Sequence, residues 1–168
     1  MTLGLTIFTL AHVAISLIGI LAGLVVAYGF LTAKRLNGWT ATFLTSTVLT
    51  SVTGFLFPFH QLLPSHIVGA ISIVILALAI FARYGRKLAG GWRTTYVIAA
   101  MVAFYLNVFV LVVQLFRKVP GLNALAPTQS EPPFVVAQVA VLVLFVMLSI
   151  FAAIRFRPEQ LRAGIDAA

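Results

Sequence analysis

The sequence predicts an all-α fold: a polytopic membrane helical bundle of five transmembrane helices, N-terminus out and C-terminus in. Three observations predict it. Among 168 residues, 62% are hydrophobic and only 8% charged, and the mean hydropathy of +1.13 is incompatible with a soluble surface. The apolar runs are continuous rather than alternating, so in lipid, where the backbone finds no water to bond, helices and not barrel strands must span. Charged residues divide these runs into lengths that match crossings of about 20 residues.

The whole chain, 1–168, reads as a single transmembrane domain, with helices expected at about 6–31, 39–57, 66–82, 94–116 and 134–154. Orientation follows from the excess of Lys and Arg that cytoplasmic loops carry. Lys34, Arg35, Arg83, Arg86, Lys87, Arg93, Arg155, Arg157 and Arg162 fall on one side of this layout, and only Arg117 and Lys118 on the other. The expected location is the cell inner (plasma) membrane, multi-pass. Residues 2–33 hold no Lys or Arg and run too long for a cleaved signal peptide, so the first run is expected to stay as a span.

The first helix carries His12, Ser16, Gly19 and Gly23 at spacings of four, three and four, which places them on one stripe. Small residues there let a second helix, or a flat cofactor, approach the backbone closely. The second helix is rich in Thr and Ser from Thr40 to Thr53, and such hydroxyls usually bond back to the preceding turn. Ser46, Thr50, Thr53, Phe57 and His60 keep a helical rhythm, so a helix kinked but continuing past Pro58 would set His60 below the hydroxyl stripe.

Between the second and third helices the run bends through Pro58 and Pro64, with His60 and His66 in the bend. Ser65 is the expected N-cap of the third helix, with His66 in its first turn. The fourth helix places Asn107 in mid-membrane, where an amide most often bonds a neighbouring helix. The outer loop 117–133 holds Glu131, whose carboxylate complements the positive end of the next helix, and Pro132 and Pro133 suit that helix's first positions.

Composition also limits the chemistry. The absence of cysteine excludes disulfides, iron–sulfur clusters, thiolate metal sites and covalently attached c-type haem. The net charge of +8 is scattered at span ends without basic runs or interleaved aromatics, which argues against nucleic acid as a partner.

Two cofactor readings centre on the histidines. Haem iron takes two imidazoles from different helices, with small residues making room for the ring. His12 with His60 or His66 would supply them, Gly19 and Gly23 the room, and Asn107 a hydrogen bond to a quinone head group. His12, His60, His66 and Glu131 together form a plausible ligand set for zinc, copper or iron. In its histidines and small residues near one face, the chain resembles the small helical bundles of transmembrane b-type cytochromes. That resemblance implies haem b or a quinone near the outer face.

A third reading is non-catalytic: an accessory or assembly partner of another membrane complex, or a homo-oligomer, joined through small-residue helix faces within the lipid bilayer. No span holds a carboxylate, Lys or Arg in its interior, and no nucleotide or phosphate motif is present, so this reading leads and a channel or transporter is the weakest.

Overall fold

A computed structural model describes residues 3–57 and 64–157, and every regular element among them is helical. The elements are α1 (Leu3–Leu31), α2 (Asn37–Gly54), α3 (Pro64–Ile80) continued by a π-helical turn (Phe81–Gly85), α4 (Trp92–Lys118), the short α5 (Pro120–Leu125) and α6 (Pro132–Arg155). His60 lies outside the described residues.

Local chemistry explains where the helices stop. Ala33 adopts φ 56° just past α1, which lets the Lys34 amide donate to the Gly29 carbonyl at 2.8 Å and close the helix end. α2 stops at Gly54 and turns through Phe55 and Leu56, instead of running on past Pro58 as the stripe from Ser46 to His60 requires. α3 begins at Pro64, so Ser65 sits within the helix rather than capping it. Val119 takes an extended conformation before Pro120, which ends α4 and starts α5 inside the 117–133 connection, where the sequence signals no helix. Pro132 opens α6, where its missing amide costs nothing.

α1, α2, α3, α4 and α6 pack in a closed ring in chain order, and α4 also reaches across it to α1. The core is built mainly from small and aromatic residues, with Phe43, Tyr96 and Met101 among the largest fully buried side chains. Phe104 sits edge-on to Phe145 at 4.9 Å, which ties α4 to α6. At one end of the bundle Phe30, Tyr96 and Phe156 join α1, α4 and the end of α6.

Among the described residues, four helical segments are long and apolar enough to cross a membrane: Leu3–Leu31, His66–Gly85, Trp92–Lys118 and Pro132–Arg155. This is compatible with an integral membrane protein. α2, expected as a fifth crossing, is not among the four, because its many hydroxyls lower its hydropathy. Exposure differs sharply between helices. In the most apolar 18-residue stretch, 39% of α4 is buried but only 6% of α6.

Candidate functional site: the polar seam of α1, α2 and α4

α1 and α2 run antiparallel along most of their lengths, and the stripe of α1 faces the hydroxyls of α2. His12 Nδ1 lies 2.7 Å from Thr53 Oγ1. The Thr53 hydroxyl also lies 2.7 Å from the Leu49 carbonyl, and a hydroxyl that gives its one proton to that carbonyl accepts from His12 Nδ1–H. Phe57 presents an edge to the imidazole at 5.1 Å, and Phe8 packs on Phe57 at 4.8 Å. Ser16 donates back to the His12 carbonyl at 2.7 Å.

Further along the seam, Asn107 of α4 donates from Nδ2 to Thr47 Oγ1 at 3.1 Å, and both flank Gly19. Ser51 bonds the buried Ser72 of α3 at 3.1 Å. Ser46 and Ser51 also donate back to carbonyls within α2. The seam is thus a set of short interhelical hydrogen bonds, the arrangement expected of amides and hydroxyls in a membrane interior. One atom stands apart: Thr50 Oγ1 is buried without a hydrogen-bond partner among the described residues.

The glycine face, which suits either a second helix or a flat ring, is occupied by protein. A Cβ at Gly19 would come within 3.1 Å of Ser46 Oγ, and one at Gly23 within 2.6 Å of the Phe104 ring. Gly19 and Gly23 therefore allow close packing of α2 and α4 on α1, and the residues present do not fit a haem ring or a quinone against that stripe. Asn107 spends an amide hydrogen on Thr47 within the same packing.

His66 is buried in the first turn of α3, its ring 5.8 Å from Phe55. It lies at the same end of the bundle as His12, but the two rings have different aromatic neighbours. Glu131 precedes α6 at that end and is engaged locally. Its carboxylate accepts from the Thr128 amide at 3.1 Å, the Thr128 hydroxyl at 2.9 Å and the Ser130 amide at 3.1 Å. Desolvation pushes this carboxyl up, but the hydrogen bonds together outweigh it and hold it below the ordinary carboxylate range. Among the described residues, no three His, Asp or Glu side chains come together as a metal site.

The opposite end carries polar contacts that the sequence did not announce. The π-helical turn aims Arg83 at two partners: Asn37 Oδ1 at 2.6 Å and the Tyr96 hydroxyl at 3.2 Å. Arg93, at the start of α4, donates to the Ala153 and Phe156 carbonyls at the end of α6. Basic residues beside uncapped helix-end carbonyls are the one sequence signal that points to the second contact.

Comparison with protein-family models, with curated proteins and with solved structures gives no match for this chain.

Proposed function

We propose that this chain is a non-catalytic integral protein of the inner membrane that serves as an accessory or assembly partner of another membrane complex. The observation that carries this reading is a contrast between inside and outside. The polar groups of the seam are largely spent on one another between α1, α2, α3 and α4, whereas α6 turns Val136, Val143 and Met147 outward along its length.

The same reading takes five crossings, N-terminus out and C-terminus in. Support for the fifth comes from register. α2 contacts α1 from His12 at one end through Gly19, and its N-cap residue Leu36 packs on Gly29 at the other, a rise of about 26 Å along α1. A helix aligned with a spanning neighbour over that length shares its depth, and most of its hydroxyls are bonded to carbonyls or neighbours. The orientation rests on the basic residues that gather at the ends of α1, α3 and α6.

Blue-native electrophoresis of gently solubilised host membranes tests the partner role. The expected result is a discrete complex well above the 18.1 kDa chain that is lost in the double variant Val143→Lys/Met147→Lys. Migration as a lone chain overturns it. A haem band in the visible spectrum of the purified protein, absent from His12→Ala, would replace this reading with a redox one. A reporter fused at Ala168 that gives a non-cytoplasmic signal would reverse the orientation.

A further inference from the structure

A cavity of about 470 Å³ lies between α4 and α6, open along its side, with Ile98, Tyr105, Leu142, Ser149, Ala153 and Ile154 among its walls. Its lining is apolar. Ser149 turns its hydroxyl back onto the Phe145 carbonyl at 2.6 Å, so it offers the groove no free donor. An occupant held there is therefore alkyl where it meets protein.

Length narrows the choice. The wall on α6 runs from Leu142 to Ile154, a rise of about 18 Å, and the wall on α4 from Ile98 to Tyr105, about 10 Å. A partner helix would need about 30 Å to cross the hydrocarbon core, whereas one leaflet offers about half that depth. The groove suits a chain that enters from one leaflet and stops near mid-membrane.

Charge fixes the other end of the occupant. Arg93 donates to the carbonyl of Ala153 and Arg157 to that of Ile154 at 3.4 Å, and both acceptors belong to groove-lining residues. Arg155 follows directly and is exposed. Two guanidiniums, of Arg93 and Arg157, are thus held at this end of the groove, and the exposed Arg155 adjoins them in the chain. Among the described residues the single carboxylate is Glu131, at the far end of α6, since Glu159 and Asp166 lie outside them. Guanidinium forks match phosphate geometry and retain further donors after bonding a carbonyl.

We infer that the α4–α6 groove is a binding site for an anionic phospholipid of the inner leaflet, with one acyl chain along Leu142 to Ile154 and the phosphate held by Arg93, Arg155 and Arg157. The inference rests on the membrane reading above. It requires selectivity for a net negative head group beyond ordinary annular lipid, because a zwitterionic lipid brings a cation of its own to the arginines.

The test is native mass spectrometry of the full chain, purified in detergent and mixed with phosphatidylglycerol or phosphatidylcholine of identical acyl chains. The expected result is a one-to-one adduct with phosphatidylglycerol at least about tenfold more abundant than with phosphatidylcholine. Arg155→Gln/Arg157→Gln should lose most of that preference, and Ser149→Phe, which fills the groove, should lose the adduct. Helical circular dichroism confirms that each variant is folded. Equal retention of the two lipids, an unchanged preference in the arginine variant, or a dimer that Ser149→Phe dissolves would each overturn the lipid site. Extraction of the chain from membranes by alkaline carbonate would instead overturn the membrane reading on which it depends.

Discussion

His12 of α1 and Thr53 of α2 meet at 2.7 Å, nitrogen to hydroxyl, in a bond that crosses between the first two helices near one end of the bundle. With the threonine proton given to the Leu49 carbonyl, 2.7 Å away, the expected donor is the imidazole. Thr53→Val keeps the shape but removes the acceptor, leaving a partly buried N–H unpaired at a cost of about 1–3 kcal/mol. Thr53→Ser should recover most of the loss. Thermal unfolding in detergent measures both, and nitrogen NMR of the ring should find the proton on Nδ1. A valine variant as stable as the parent would show that the bond contributes nothing.

Thr50, one turn away, should behave in the opposite sense. Its hydroxyl is buried with no partner among the described residues, so Thr50→Val removes a desolvated polar atom without opening a cavity. The expected effect is neutral to about 1 kcal/mol stabilising. A loss comparable to that of Thr53→Val would reveal a partner for this hydroxyl.

Gly23 should tolerate no side chain while Phe104 holds its place. The Cβ of Gly23→Ala would stand 2.6 Å from the ring, and the resulting overpacking should cost about 1–3 kcal/mol. Combining it with Phe104→Leu should cost less than the sum of the two, since each relieves the other. Strict additivity in the double-mutant cycle would contradict the contact.

How much of this was legible in the sequence depends on whether a contact is local or not. The stripe of His12, Ser16, Gly19 and Gly23 follows from helical spacing alone, and the structure gives it the close-packing role that small residues suggest. What spacing cannot supply is the identity of the facing side chain. That Phe104 rather than a cofactor occupies Gly23 is decided by an antiparallel register between helices far apart in the chain. The end of α2 is a related case. The rhythm from Ser46 to His60 lies on one face only if the helix continues past Pro58, and α2 stops at Gly54. α5 was missed because Pro120 to Leu125 is too short for any periodicity. The π-helical turn left no pattern either, since Phe81 to Gly85 looks like an ordinary helix end until Arg83 is seen bridging Asn37 and Tyr96.

Arg83 should resist even its conservative replacement. It spans two helices by bonding Asn37 and Tyr96 with different nitrogens, and its guanidinium also lies 5.2 Å from the Tyr96 ring. A lysine presents one compact ammonium and cannot reproduce that fork. Arg83→Lys should therefore cost about 1–2 kcal/mol, and Asn37→Ala should cost little more once Arg83 is gone. Unfolding midpoints of the two single variants and the double variant decide it. Independent effects would mean that the bridge is not a unit.

Glu131 sets a pH dependence on the 117–133 connection, and its sign follows from the bonds it accepts. Desolvation pushes the carboxyl up, but hydrogen bonds from its own backbone amide, Thr128 and Ser130 together favour the ionised form and hold its pKa below the ordinary value. A group depressed in this way contributes its full stabilisation above the unfolded value near 4.5 and loses it as pH falls through the lower folded value. Hydrogen exchange at the Thr128 and Ser130 amides should therefore be slowed at neutral pH and lose that protection on acidification below the carboxylate range. Glu131→Gln, which cannot ionise, supplies the reference at each pH and removes the acid- and base-dependence of intrinsic exchange from the comparison. The ratio of variant to parent rates should exceed one at neutral pH and approach one at low pH. A ratio that stays constant across the range would separate the loop's order from the ionisation of Glu131.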